Sequence, residues 1–211
     1  MSNLSREIGR KPHRGVTNID EVYSILDAGL VAHIGFDDPD SGEPTVIPVA
    51  YARDGDRILF HGSTGSRLFM AMKAGSKVCA TITLIDGLVS ARSPFNSSMN
   101  YRSVMVFGIP TAIEGEAKEA ALFAITERLI PGSWAAGREM TKKEFAQTMV
   151  VELKLVDMTC KQRSGGALDL EDANLPIWAG QIPIVTEYGE PKTDESAAHT
   201  VVPEHIRRLV E

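Results

Sequence analysis

The sequence reads as a mainly β protein, an antiparallel barrel with helices around its edge. Three observations support this. There are about seven short strand-like runs, and Asp-Gly pairs of the kind that favour tight hairpins stand between some of them. The helical stretches are too few and too scattered to alternate with strands as parallel βαβ units require.

Residues 1–17 are polar and carry Lys11-Pro12-His13-Arg14, so they are expected to form an arm laid over the domain. Asn18 is placed as an N-cap, with Glu21 three residues on and Ile19, Val22, Ile25 and Leu26 on one helical face. Gly29 ends that helix. Strands are expected at 30–36, 44–52 and 57–61, the last two joined at Asp54-Gly55. Residues 67–74 form a short helix with Leu68, Phe69 and Met72 inward and Gly75 as its stop. Runs 77–85 and 88–92 make a second hairpin around Asp86-Gly87. Val78, Ala80, Ile82 and Leu84 share one face of the first run, and Cys79, Thr81, Thr83 and Ile85 share the other, which suits a barrel strand with something packed outside it. A strand over 102–113 leads through Gly115 into a helix over 116–130, whose stripe is Ala117, Ala121, Ala124, Ile125 and Leu129. Pro131-Gly132 breaks it. Thr141 and Glu144 form a capping box for a helix to about Gln147. A strand over 149–157 follows, then a loop-rich stretch with Gly165-Gly166, Pro176, Pro183 and Pro191. The domain is expected to span 18–187, with 188–211 as a C-terminal tail.

Composition narrows the function. The 22 Lys and Arg against 28 Asp and Glu leave a net charge of −6, and no basic stripe appears, so a nucleic-acid partner is not expected. No apolar run approaches the roughly 18–20 residues of a membrane span, and the opening Met1-Ser2-Asn3-Leu4-Ser5-Arg6 lacks the apolar core of a signal peptide. A cytoplasmic protein with reduced Cys79 and Cys160 is the expectation. The five histidines stand far apart and the cysteines lack Cys-x-x-Cys spacing, so no metal site is expected. No Gly-x-Ser-x-Gly elbow is present, and no catalytic residue can be assigned.

Four segments carry chemistry. His61-Gly62-Ser63-Thr64-Gly65-Ser66-Arg67 closes a strand and opens a helix, combining backbone donors, hydroxyls and a guanidinium in a way that suits a phosphate. It serves equally as a capped helix start with a solvated arginine. Lys73 is a possible second cation there, or an ordinary exposed lysine. Asn96-Ser97-Ser98-Met99-Asn100-Tyr101-Arg102-Ser103-Val104 is a ligand rim or a hydrophilic loop. Lys161-Gln162-Arg163-Ser164-Gly165-Gly166 sets two cations beside a flexible turn, which is also what a solvated loop looks like. Trp178, held between Pro176 and Pro183, is a plug or a flat surface for an aromatic ligand. Phosphate-type and aromatic-type features without a nucleophile or an acid/base couple match a redox cofactor that does its own chemistry.

The blocks 44–51 (Pro-Thr-Val-Ile-Pro-Val-Ala-Tyr), His61-Gly62-Ser63 with Ser66-Arg67, Asn100-Tyr101-Arg102-Ser103-Val104 running to Gly108, Lys161-x-Arg163-x-Gly165-Gly166 and Trp178-x-Gly180-x-Ile182-Pro183 occur in this order. In that order they resemble the FMN-binding split-barrel proteins related to pyridoxamine 5′-phosphate oxidase, in the branch that includes nitroimidazole-resistance reductases. The resemblance covers about residues 14–186. It implies an antiparallel, Greek-key-like split barrel that forms a homodimer with two FMN sites at the interface. On this resemblance Val46, Ile47 and Pro48 lie along the isoalloxazine edge. His61, Gly62, Ser63, Ser66 and Arg67 surround the phosphate or the ribityl chain, and Asn100, Tyr101 and Arg102 come from a neighbouring strand. Lys161, Arg163 and Trp178 close the site, Trp178 from the partner. The family's basic Arg-Leu-x-Pro ending is replaced here by Arg207-Arg208-Leu209-Val210-Glu211, which puts vitamin B6 oxidation in doubt. The expected activity passes electrons from a reduced nicotinamide through FMN to a small-molecule acceptor. The alternatives are a non-catalytic flavin carrier or sensor, and a haem-handling relative with His61 or His13 as ligand.

Overall fold

The computed structural model describes residues 6–211; the first five residues of the signal-peptide argument lie outside the described residues. The Gly15-Val16 end of the arm is pinned to the domain. Gly15 bridges to Lys161, Val16 N–H donates to the Cys160 carbonyl at 3.1 Å, and Val16 is buried in the core. Helix α1 (Ile19–Ala28) starts where Asn18 accepts the Asp20 N–H, and it buries Val22, Ile25 and Leu26 as its 3.6-residue period dictates.

Strands β1 (Val31–Asp37), β2 (Pro44–Asp54) and β3 (Arg57–Ser63) form a meander. Asp54 pairs with Arg57, so the two-residue turn is Gly55-Asp56, one position later than expected, with Gly55 at φ +60°. Helix α2 (Arg67–Lys73) follows and stops before Gly75, whose φ of +92° only glycine adopts without strain.

Strand β4 corrects the sequence reading. It runs unbroken over Val78–Ser90, and Asp86-Gly87 is a bulge rather than a hairpin turn. Gly87 is there for close approach: a Cβ at this position would lie 2.7 Å from the Ile182 carbonyl oxygen of β9 (Gly180–Pro183), which pairs with the end of β4. The expected strand 102–113 is two strands, β5 (Ser98–Gly108) and β6 (Thr111–Ile113), because Pro110 has no N–H to give a ladder. Helix α3 (Gly115–Leu129) is rotated from its expected stripe. Lys118 is buried and Ala117 is exposed, since the Lys118 Nζ donates to the Phe145 carbonyl at 2.6 Å. Short helices α4 (Ser133–Ala136) and α5 (Lys142–Gln147) follow, the latter with the expected capping box.

The strand expected at 149–157 is β7 (Thr148–Lys154), and a further strand, β8 (Met158–Arg163), takes up residues read as loop. Beyond Tyr188 the tail holds a helical turn, α6 (Glu204–Arg207). All pairings between these strands are antiparallel, in the order β6-β7-β3-β2-β1-β4-β5-β8 with β9 on β4, curled into a half-barrel.

Two cores result. The larger joins α1 and α2 to the barrel interior through Ile34, Phe60, Phe69, Ile82 and Val104. The smaller packs α3 on the opposite face of β2, β3 and β7 through Ala52, Leu59, Ile125 and Val150. Each large side chain fully buried there is worth about 1.5–3 kcal/mol.

Candidate functional site

Antiparallel pairing keeps matched residues on one face, so the register defines a continuous outward surface. Along it Val46, Gly35, Cys79 and Phe107 make one row, and Pro48, His33, Thr81, Met105 and Thr159 make the next. Thr83, Ser103 and Lys161 belong to a third, and the Thr83 and Ser103 hydroxyls lie 3.0 Å apart. This face is opposite to Ile34, Ala80, Ile82 and Val104 in the core, and much of it is open: Val46 is 63% exposed, with Val31, Ile85 and Met105 exposed as well. Of the three residues expected on a ring edge, Val46 and Pro48 lie on this surface. Ile47 pairs with Ile34 and packs against the core.

At one border of the sheet, β3 hands over to α2. Ser63 Oγ accepts the Gly65 N–H at 3.2 Å and the Ser63 carbonyl accepts the Ser66 N–H at 3.0 Å, which closes the loop on itself. The Ser66 side chain does not cap α2. Gly62 permits the packing, because a Cβ there would sit 2.3 Å from the Phe69 ring.

Arg67 donates to Asp38 Oδ2 at 3.1 Å; the Arg67 side chain is 65% exposed, while that of Asp38 is 2% exposed. Asp38 also accepts the Asp40 and Ser41 N–H groups at 2.9 and 3.2 Å. Those backbone bonds, with help from Arg67, hold its carboxyl below the usual range. Arg67 is therefore tethered by one nitrogen, with most of its fork turned to solvent. His61 on β3 pairs with Val150 of β7; burial pushes its pKa down and its Nδ1 is buried without a partner. It adds a neutral imidazole to the loop, not a charge. Lys73 is exposed and lines a cleft of about 310 Å³ together with Thr64 and Lys118.

The other expected residues divide. Tyr101, paired with Ile85, lies on the outward face with Lys161, whose Nζ donates to the Arg10 carbonyl at 2.9 Å. Arg102 pairs with Leu84 and is neutralised by Asp86, which accepts from Nη2 at 2.6 Å and from Nε at 3.0 Å. Asn100 and Arg163 are buried together: Asn100 Oδ1 accepts from Arg163, and Asn100 Nδ2 donates to Gln181 Oε1 at 2.8 Å. Arg163 also donates to the Gly165 and Gly166 carbonyls at 3.1 and 2.9 Å, so it organises the turn that looked solvated. Trp178 is 64% exposed, with its ring over Gly180. Arg67 and Arg163 are held by different partners, Asp38 for the first and Asn100 with the Gly165 and Gly166 carbonyls for the second.

Asp38, Asp86, Gln181 and the Thr83–Ser103 pair belong to this surface and its supports without having been singled out. Asp38 is foreshadowed by the turn-forming Asp37-Asp38-Pro39-Asp40-Ser41-Gly42, but no local pattern predicts its pairing with Arg67. A cavity of about 830 Å³ between α3, α4 and α5 is lined by Trp134, Met140 and Phe145, with none of the expected site residues and no histidine. Among the described residues no cluster of three or more His, Cys, Asp or Glu is placed to hold a metal, and no helix is long and apolar enough to cross a membrane.

A family model described as pyridoxamine 5′-phosphate oxidase matches residues 18–162. A solved structure of the FAD and haem binding protein from Mycobacterium smegmatis is 35% identical, covers 93% of this chain and 97% of its own, and superposes with a TM-score of 0.88. A flavocytochrome from Azotobacter vinelandii is 37% identical over 99% of this chain and 98% of its own, with a TM-score of 0.90. A protein from Bacteroides thetaiotaomicron named for 5-nitroimidazole antibiotic resistance shares the fold at 21% identity, over 70% of this chain and 85% of its own, with a TM-score of 0.59. No curated protein matches.

Proposed function

The chain belongs to the pyridoxamine 5′-phosphate oxidase family, and from that premise we propose that it is a flavin-nucleotide-binding oxidoreductase that works as a homodimer in the cytoplasm. The observation that carries this reading is the open outward sheet face, apolar and hydroxyl-lined, together with Arg67, which is held by Asp38 just past the end of β1. An aromatic ring system fits the flat surface of Val46, Pro48, Thr81 and Met105, and a phosphate fits the loop with its solvent-facing guanidinium. A contiguous apolar face of this kind calls for a cover, and a second copy of the chain supplies one. Cys79 and Cys160, free thiols on opposite faces of the sheet, accord with a reducing compartment.

When bound, the flavin supplies the two-electron chemistry between a nicotinamide donor and a small acceptor. The chain's own residues hold and tune it. Arg67 takes the phosphate, Tyr101 and the Thr83–Ser103 pair line the face, and Lys161 stabilises negative charge on a reduced ring. FMN is the nucleotide implied by the resemblance in sequence, whereas the mycobacterial relative is named for FAD. Chromatography of the flavin released from purified protein identifies which one is held.

A second reading, haem binding, is favoured by two relatives of 35% and 37% identity named as a haem-binding protein and a flavocytochrome. His61 offers it a neutral imidazole, since burial pushes its pKa down. The test is addition of FMN, FAD and haem to purified protein, then anaerobic reduction by NADH and NADPH with a panel of acceptors. Flavin absorbance, a dimer on sizing and nicotinamide consumption are expected. Colourless monomeric protein after flavin addition overturns the proposal, and flavin binding without turnover makes the chain a carrier. A Soret band that is lost in His61→Ala supports the haem reading; no Soret band on titration dismisses it.

A further inference from the structure

The N-terminal arm ends in cations that nothing negative neutralises. Lys11, with φ +55°, is the one non-glycine residue at positive φ among those described, and it opens a helical turn over Pro12–Arg14. The bridge from Gly15 to Lys161 and the bond from Lys161 to the Arg10 carbonyl lay this turn against the end of β8. Arg163 lies there too, 6% exposed, and its partners are neutral: the Asn100 amide oxygen and the Gly165 and Gly166 carbonyls. A buried guanidinium normally finds a carboxylate, because removing its charge from water is costly. Here its charged neighbours are other cations. Burial and then Arg14 push the Arg163 pKa down, and Arg14 foremost pushes down that of Lys11. No ion pair joins Arg10, Lys11, Arg14, Lys161 or Arg163 to a carboxylate among the described residues, and Glu21, at the edge of the cleft, pairs with none of them. Two adjoining clefts, of about 380 and 300 Å³, share His13, Arg14, Gln162 and Ser164 as lining.

Arg14, which lines both clefts, Arg163, which lines one, and Lys11 close to both make a group of cations without carboxylate partners, which on a chain of net charge −6 is a site for an anion. We infer that the cleft between the Lys11–Arg14 turn and the end of β8 binds the phosphate groups of a nucleotide, apart from the Ser63–Arg67 loop. The shared chemistry is a diphosphate. It reaches the cleft as a free nucleotide such as the reducing co-substrate, because the two phosphates of a dinucleotide flavin are joined directly and Arg67 already takes one of them. Arg14 supplies charge from the cleft wall and Lys11 from beside it, while Arg163 and the Gly165-Gly166 turn form the floor.

The test uses the full chain and calorimetric titration with inorganic pyrophosphate, ADP, FMN and FAD. Wild type is expected to bind pyrophosphate and ADP; Arg14→Gln is expected to weaken that binding about tenfold, the effect of one charge-assisted contact, and Lys11→Gln to weaken it by a smaller factor through the loss of a nearby charge. Lys11 is exposed, so Lys11→Gln reports even if Arg14→Gln perturbs the arm. If Arg14→Gln weakens ADP and neither flavin, the ligand is a free nucleotide; if it weakens FAD but not FMN, the cleft holds the cofactor's diphosphate and Arg67 loses the phosphate role. Either result supports the site. Absence of pyrophosphate and ADP binding in wild type, or equal affinities in wild type and both variants, overturns it. Arg67→Ala separates this outcome from the flavin proposal, because it is expected to lower affinity for both flavins and leave pyrophosphate binding at the arm unchanged.

Discussion

Gly62→Ala tests whether the loop at the end of β3 is positioned by packing. An added Cβ would lie 2.3, 2.7 and 2.8 Å from Cε2, Cδ2 and Cζ of Phe69. Ordinary carbon contacts fall at about 3.5–4.0 Å, so the ring must retreat by roughly 1.2 Å or more. Phe69 is 4% exposed and packed in the larger core, where neighbours leave no slack. Overpacking of this kind costs about 1–3 kcal/mol. In a chain of this length each kcal/mol lowers the melting temperature by about 2–4 °C. Phe69 and Arg67 share the first turn of α2, so the same displacement moves Arg67 relative to Asp38 and weakens flavin retention along with stability. Urea unfolding and flavin titration of Gly62→Ala, Phe69→Leu and the double variant give the answer. The smaller Leu side chain relieves the clash, so the double variant is expected to be more stable than the sum of the single effects predicts. Additive losses, or a Gly62→Ala protein as stable as wild type, refute the account.

Arg67→Ala is expected to weaken flavin binding by about 1.5–3 kcal/mol, the worth of a lost charge-assisted hydrogen bond, with little effect on unfolding because the pair with Asp38 is solvent-screened on the arginine side; an unchanged dissociation constant removes Arg67 from the phosphate role. Bonds from Arg138, and then from the Thr141 backbone and hydroxyl, hold Glu144 at about 2 against an ordinary 4.5. A carboxyl lowered on folding stabilises above its unfolded value and loses that contribution as pH falls from 4.5 towards 2. Glu144→Gln should therefore flatten the stability profile in that window, read by urea midpoints against pH. Burial raises the Cys160 thiol to about 12, while Cys79 is half-buried on the outward face. One thiol is expected to react with a disulfide reagent in native protein and two after unfolding, with flavin slowing the first; reaction of two in native protein contradicts the fold, and an unslowed first reaction contradicts the proposed face. Gly87→Ala should detach β9, because its Cβ would lie 2.7 Å from the Ile182 carbonyl, and limited proteolysis beyond Ala173 would register the release.

The sequence by itself determined what short-range physics encodes. The Asn18 cap, the Gly75 stop, the Thr141–Glu144 box and the alternation of Val78, Ala80 and Ile82 are local free-energy choices, and each appears where its residue types require. The order of five sparse blocks also pointed to the right family. Tertiary structure decided what depends on partners far away in the chain. Asp86-Gly87 has turn chemistry, but β5 pairs along both sides of it and β9 presses on the glycine, so a bulge replaces a hairpin. β8 offers only Met158 and Cys160 to the core, too brief a pattern to stand out from its polar neighbours, and it exists because β5 supplies a ladder. Likewise, Arg163 is expected either in a solvated loop or closing the flavin site, yet Asn100 and the Gly165-Gly166 carbonyls bury it, and the arm brings Arg14 beside it. Caps and alternation act within one turn or one strand, whereas register and the burial of a charge are set by residues scores of positions away, whose placement no local pattern carries.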